Sequence, residues 1–370
     1  MAVVGERVYK GQERRNMRPG TPRWGPVGGE SAMSCRAVVS GLVWSVVVGS
    51  FGVGGLAEAQ EVPRTGWGAP DLQGVWDFRT ITPMQRPEHY GDKEFLTPEE
   101  AAELDAAEEE RQRLLWQAPA ERTTAGENVD RRTGVGEVRG APGSYNQFWI
   151  DVGTNTIETR RTSLVIDPPN GRYPEQTEAA RERASARRAY AAEHPADSWE
   201  DFSAGVRCIL GFNAGPPFTP SAYNNNIQLF QTPDHVVIMT EMVHTSRVIP
   251  LDGRPHLPAG VLQWSGDSRG QWEGDTLLIE TRNFDPKRRW RNTTGRARLI
   301  ERLTRIDEDT LEYEFTVEDS ETWMRPWTAS VPLRLNPDPV FEFACHEGNY
   351  SMPVMLGGAR VEELEAAGAR

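Results

Sequence analysis

From Asn226 to Cys345 the chain is one short β-prone run after another: Asn226 to Gln231, His235 to Glu241, Thr245 to Leu251, Gly270 to Trp272, Thr276 to Asn283, Ala297 to Ile306, Thr310 to Glu318, Trp327 to Leu335 and Val340 to Cys345. Most alternate apolar and polar residues, the period of a strand with one buried face. They are joined by Pro-Asp, Asp-Gly and Glu-Gly-Asp turns. Such turns let a strand fold back on its neighbour, whereas parallel pairing needs a crossover of a dozen or more residues. Regularly spaced short strands with these turns predict an all-β sandwich or barrel. Among these, an up-and-down antiparallel barrel is expected, because each hairpin closes locally.

The first half of the chain reads as additions to that scaffold. Asp71 to Phe78 forms a short strand containing Gly74-Val75-Trp76. A helix is predicted from Glu99 to Trp116, with Thr97 as N-cap, Pro98 at the first helical position and Glu100 completing a capping box. Its Ala- and Glu-rich body suits a surface. Pro119 to Pro142 is polar and glycine-rich and reads as a long loop with the potential to act as a lid. Leu164 to Ile166 reads as a buried strand stopping at Pro168, and Glu178 to Glu193 as a second peripheral helix. The expected organisation is an upstream extension over 1–32, a signal peptide over 33–59, an N-terminal extension over 60–147 carrying the first strand and the surface helix, a β-domain over 148–358, and a tail or short helix over 359–370.

Arg36 followed by an apolar stretch to Leu56 and by Ala57-Glu58-Ala59 has the layout of a cleavable signal, with an uncleaved anchor as the alternative. Cleavage after Ala59 would remove seven basic and four acidic residues and deepen the formal charge from −13 to −16. So acidic a chain repels phosphate backbones and anionic lipid, which argues against nucleic-acid partners and peripheral membrane binding. A periplasmic or secreted protein is expected, with no stable membrane insertion after cleavage.

Of the three cysteines, Cys35 falls in the expected signal, leaving Cys208 and Cys345. In an oxidising compartment these two are expected to form a disulfide; two separate buried thiols are the alternative. No Cys-x-x-Cys, His-Glu-x-x-His, phosphate-loop, dinucleotide or Gly-x-Ser-x-Gly pattern occurs, so neither a metal nor a cofactor is expected. Glu241 and His244, three apart on a strand, would face opposite sides unless a bulge intervened.

Two sets of side chains carry candidate chemistry. His244, Arg247 and Asp252 lie close along one strand and its turn; a histidine oriented by a carboxylate beside an arginine can move a proton next to an anionic intermediate. Alternatively Arg247 and Asp252 are structural partners at a hairpin. Tyr223, Asn224 and Asn226, with Trp264, Trp272, His256, His346 and Glu347, supply the aromatic faces and polar groups that hold a small organic ligand. The acids flanking Gly274 supply too few oxygens for calcium, so that turn reads as structural.

The blocks Arg247-Val248-Ile249-Pro250-Leu251-Asp252-Gly253-Arg254-Pro255-His256, Gly270-Gln271-Trp272-Glu273-Gly274-Asp275-Thr276-Leu277, Arg325-Pro326-Trp327-Thr328 and Cys345-His346-Glu347-Gly348-Asn349 resemble, in this order, the signature of a large family of exported bacterial proteins of undefined activity. The resemblance spans roughly Cys208 to Gly358. It implies export and a lipocalin- or calycin-like fold, and carries no catalytic residue. In lipocalin-like barrels a Gly-x-Trp near the first strand plugs one end, which Gly74-Val75-Trp76 would match. The expectation is therefore a calycin-like antiparallel barrel with peripheral helices and long loops, binding an apolar or sugar-like molecule at one end. The alternatives are a cofactor-independent lyase, isomerase or hydrolase built on His244, and an interaction module without a pocket.

Overall fold

The computed structural model describes residues 62–117, 150–288 and 290–368. The expected signal peptide, the extension before it and the whole of the expected Pro119–Pro142 loop lie outside the described residues. The described part belongs to one compact unit.

Ten strands form one antiparallel sheet: β1 Gly74–Asp77, β2 Val165–Asp167, β3 Asn226–Gln231, β4 His235–Thr240, β5 Ser246–Pro250, β6 Asp267–Glu273, β7 Thr276–Arg282, β8 Arg298–Arg305, β9 Thr310–Glu318 and β10 Trp327–Asn336. Their spatial order is β5-β4-β3-β1-β10-β9-β8-β7-β6, with β2 attached to β10 beside this path. Two meanders, β3 to β5 and β6 to β10, are thus joined by the first strand. Trp76 of β1 lies opposite Ile227 on one side and Leu335 on the other. The N-terminal strand is therefore central to the sheet and no appendage to it.

Alternation assigns the faces as the sequence predicts. Leu299, Glu301, Leu303 and Arg305 of β8, Leu311, Tyr313, Phe315 and Val317 of β9, and Trp327, Ala329, Val331 and Leu333 of β10 are all buried. The opposite face carries charges paired across strands, such as Arg298 with Glu280 and Glu318, and Arg302 with Glu273. A core of Trp76, Phe78, Phe218, Tyr313, Phe315 and Trp327 fills the inner face.

The closed ladder expected of a calycin barrel is not present: no hydrogen-bonded pairing joins the end strands β5 and β6 among the described residues. Side chains meet there instead. Arg247 of β5 reaches Ser268 of β6 at 3.4 Å. A Cβ added to Gly270 of β6 would stand 3.0 Å from Ile249 Cγ2 and 2.7 Å from Leu251 Cδ2, so the missing side chain is what lets the two edges approach. The apolar side chains of β5 occupy the space a ladder would need.

Trp76 is fully buried towards one end of the inner face. Its indole donates to Leu72 O at 2.9 Å, and the Arg305 guanidinium lies 5.3 Å from the ring centroid while bonding to the carbonyls of Asp71, Asp307 and Glu308. By strand direction, β4 and β7 both run away from this end, so the residues that follow them, Met242 and Arg288, lie at the other.

Helix α1, Pro98–Gln117, has the predicted reciprocal cap: Glu100 N donates to Thr97 Oγ1 at 3.2 Å and Thr97 N to Glu100 Oε2 at 2.8 Å. Helix α2, Glu178–Glu193, is capped by Thr177, which accepts from Ala180 N. Helix α3, Ser351–Ala366, begins before the tail or short helix expected over 359–370 and runs through Gly357 and Gly358. The strand predicted from Val340 to Cys345 does not form. Phe341 there is exposed, and the segment is held by Phe343, stacked on Tyr223, and by the disulfide at Cys345. No described helix is long and apolar enough to cross a membrane.

Candidate functional site

At the end of the inner face opposite Trp76 lies a cavity of about 620 Å³ where four stretches of chain meet. The first runs from Ser203 to Tyr223, the second comprises Met242 and Val243 after β4, the third Arg288 and Trp290 after β7, and the fourth runs from Phe343 to Met355. The disulfide Cys208–Cys345 ties the first stretch to the fourth, with Cα atoms 5.7 Å apart. Cys345 itself lines the cavity, and Asn349, another lining residue, donates to Cys208 Sγ at 3.1 Å.

The walls are largely aromatic and apolar. Tyr223 meets Phe212 edge to face at 5.3 Å and Phe343 face to face at 6.4 Å. Leu210, Met242 and Val243 belong to a small buried cluster of their own, separate from the main core. Val243 and His244 have φ of 60° and 38°, so the chain turns sharply into β5 in a conformation that non-glycine residues seldom adopt. That turn is what presents Met242 and Val243 to the cavity while leaving His244 in solvent.

Arg288 is the charged group in this setting. Its Nη2 donates to Pro216 O, its guanidinium lies 5.0 Å from the Phe284 ring and 5.8 Å from Trp290, and its buried Nε has no partner. Burial, reinforced by the nearby Arg247 charge, pushes this guanidinium down to about 9. The same environment disfavours a second unpaired cation more strongly than any neutral group.

Behind Arg288 a polar cluster crosses the inner face. Arg247 and Glu301 pair bidentately at 2.8 and 2.9 Å, with side chains 5% and 0% exposed. Tyr313 donates its hydroxyl to Glu301 Oε1 at 2.8 Å and accepts from Phe218 N at 3.3 Å. Burial, then the Glu301 charge, raise the Tyr313 phenol well above its usual range. The segment Gly215 to Phe218 thus connects cavity and cluster: Pro216 holds Arg288, and Phe218 holds Tyr313 and lies under the Arg247 guanidinium at 5.5 Å.

The structure does not bring the acid–base trio together. Arg247 points inward to Glu301, Asp252 is exposed and paired with Arg254, and His244 is exposed. The arginine's alternate position on β5 faces the interior, and a buried guanidinium requires a carboxylate partner, which β8 supplies at Glu301. The Arg254 side chain and backbone hold the Asp252 carboxyl down to about 2.

Of the expected ligand contacts, Tyr223 lines the cavity. Asn224 and Asn226 serve the backbone and β3: Asn224 O accepts from Asn213, and Asn226 bonds to Glu241 and Asn336. Trp264 lies at the edge of the small cluster near Arg207, and Trp272 packs on the main core. His256 is bridged between Asp267 and Glu280, while His346 and Glu347 are exposed. None of these seven lines the cavity. No group of three or more potential metal ligands occurs among the described residues.

Sequence reasoning missed Arg288, Trp290, Glu301 and Tyr313. A signal existed for two of them: Glu301 occupies an inward position between Leu299 and Leu303, where an acid demands a buried cation, and Tyr313 occupies the inward position between Leu311 and Phe315, where its hydroxyl demands a partner. Arg288 and Trp290 lie in a short loop, where no period assigns a face.

A second hollow, of about 680 Å³, lies between α1 and the sheet. Several of its polar groups are satisfied among themselves: Arg79 bonds to Asp77 and Asp151, Gln112 to Gly153 O, and Asp105 accepts from Thr156 N. No protein-family model matches the chain, and neither a curated protein nor a solved structure matches it.

Proposed function

We propose that this protein is an exported small-molecule-binding protein, in which the curled antiparallel sheet acts as a calycin-like barrel and the ligand occupies the cavity opposite Trp76. The observation that carries this reading is the cavity itself: about 620 Å³, within the range of roughly 300 to 1,000 Å³ usual for ligand sites, with aromatic walls and one convergent cation. The buried Trp76–Arg305 contact at the other end supports a one-mouthed vessel. Export is supported by the disulfide, since such bonds persist in oxidising compartments. The acid–base alternative has no assembled trio to rest on, and a module without a pocket is disfavoured by the volume available.

Native mass spectrometry of the protein secreted into a bacterial periplasm tests the reading. A co-purified organic mass is expected, and Gly205→Phe should remove it. Gly205 lines the cavity, and a Cβ there meets nothing closer than Leu210 O at 3.7 Å, so the variant adds bulk without a backbone clash. A ligand retained in the Gly205→Phe protein would place the site elsewhere.

A further inference from the structure

Resting on the reading of this cavity as a ligand site, we infer that its ligand is an organic carboxylate: an apolar, preferably aromatic body between Tyr223, Phe343 and Trp290, with its anionic group on Arg288.

The first argument is charge balance. Four charged side chains lie at this end of the sheet: Arg247, Glu301, Arg288 and Glu241, the last buried and bonded to Asn226. Arg247 and Glu301 use both guanidinium nitrogens and both carboxylate oxygens on each other. The remaining capacity of Glu301 goes to Tyr313. Arg288 is thus left without an ion pair: among the described residues no carboxylate lies within ion-pair distance of it, and the buried Glu241 is engaged by Asn226. A partly buried cation without a counter-ion is costly, and an anion supplied from outside removes that cost.

The second argument is geometry. A guanidinium has five N–H donors in a planar fork that matches a carboxylate edge to edge. Among the described residues only Nη2 has a protein acceptor, the Pro216 carbonyl, while Nε is buried and unpartnered. The carbonyl fixes the plane and leaves donors over. Phe284 and Trp290 flank the same group at 5.0 and 5.8 Å, excluding water from its faces and strengthening any charge-assisted bond it makes. The depressed guanidinium titration noted above has the same origin.

The third argument concerns the rest of the ligand. Leu210, Met242 and Val243 offer no side-chain hydrogen bonds, and the Tyr223 and Phe343 rings are stacked on each other beside them, while the polar side chains of the lining, Ser203, Asn349 and Ser351, stand on the outer stretches. A sugar-like body would leave hydroxyls unmet against these walls, whereas a planar apolar body would not. The structure therefore favours the apolar half of the earlier alternative and adds the charge.

The test compares 2-naphthoate with its neutral counterpart 2-naphthamide by isothermal titration calorimetry on the full, disulfide-bonded protein. The wild type is expected to bind the carboxylate at least about tenfold more tightly, the scale of a charge-assisted hydrogen bond. Arg288→Gln should bring the carboxylate to the level of the amide while leaving the amide within about threefold, and Arg288→Lys should restore part of the preference. Equal binding of both probes by the wild type, a comparison needing no variant, would overturn the carboxylate assignment and leave the cavity reading intact. A preference surviving in Arg288→Gln would likewise overturn it. Binding of neither probe would overturn the cavity reading and the assignment with it.

Discussion

Replacing Glu301 by Ala should be among the most damaging single changes to this fold. The carboxylate has no exposure and serves Arg247 through both oxygens at 2.8 and 2.9 Å, with Tyr313 adding a third bond at 2.8 Å. Its removal leaves the Arg247 guanidinium buried, unpaired and beside Arg288, a like charge. Breaking a buried pair from one side costs about 3 to 5 kcal/mol. The Tyr313 hydroxyl simultaneously loses its acceptor, for which about 1 to 3 kcal/mol is typical. The two losses share one carboxylate and do not add fully, so a total near 4 to 5 kcal/mol is expected. The paired replacement Arg247→Met with Glu301→Leu removes both charges and should recover most of the loss, since apolar substitutes for buried pairs are often neutral or better. Urea unfolding with the disulfide intact, followed by tryptophan fluorescence and extrapolated linearly, gives both values. A loss below about 1 kcal/mol for Glu301→Ala, or a double variant as unstable as the single one, would refute the description of this cluster as dry and mutually dependent.

Further outcomes follow from other parts of the molecule. Replacing Cys208 and Cys345 by Ser should cost about 3 to 5 kcal/mol, given the 137-residue separation they bridge, and should weaken probe binding because both cavity walls lose their tie; denaturant titration and calorimetry report the two effects. Gly270→Val should cost about 1 to 3 kcal/mol by forcing a side chain into Ile249 and Leu251, with faster amide exchange in β5 and β6 as the local readout. Burial raises the Tyr313 phenol well above 10 and pushes Tyr173 up to about 12. Both groups prefer to stay protonated in the fold, so the stability they contribute is complete below about pH 10 and declines as pH rises beyond it. Thermal unfolding midpoints measured from pH 8 to pH 11.5 should fall with a slope that Tyr313→Phe reduces.

The β-strands were legible because each needs only local alternation, and alternation is written residue by residue. β3 and β9 occur at their predicted limits, and the other predicted strands from β4 to β10 shift by a few residues at their ends. The connection of the two meanders was not legible, since nothing near Gly74 announces that its partners are Leu229 and the distant end of β10. The Val340 to Cys345 segment has strand composition but is held by the disulfide at Cys345 and by Phe343 against Tyr223 instead of by a neighbouring strand, so tertiary context overrode propensity. The site failed for a related reason. His244, Arg247 and Asp252 are close in sequence, but a positive-φ turn before β5 and the inward register of Arg247 send them in different directions. The residues that do converge come from loops after β4 and β7 and from the chain's last third, where spacing along the sequence carries no information about distance.

The insertion of β1 between β3 and β10 also governs when this molecule can begin to exist. β1 is made first and has two edges to satisfy, yet one of its neighbours is the last strand to be synthesised, Val75 facing Asn336. Until that strand arrives, the amino-terminal part can only wait, extended and unfinished. Closing so long a loop is slow in folding terms. A chain that ends before Trp327 therefore leaves β1 with one edge unpaired, so the sheet is completed only when its last strand is present.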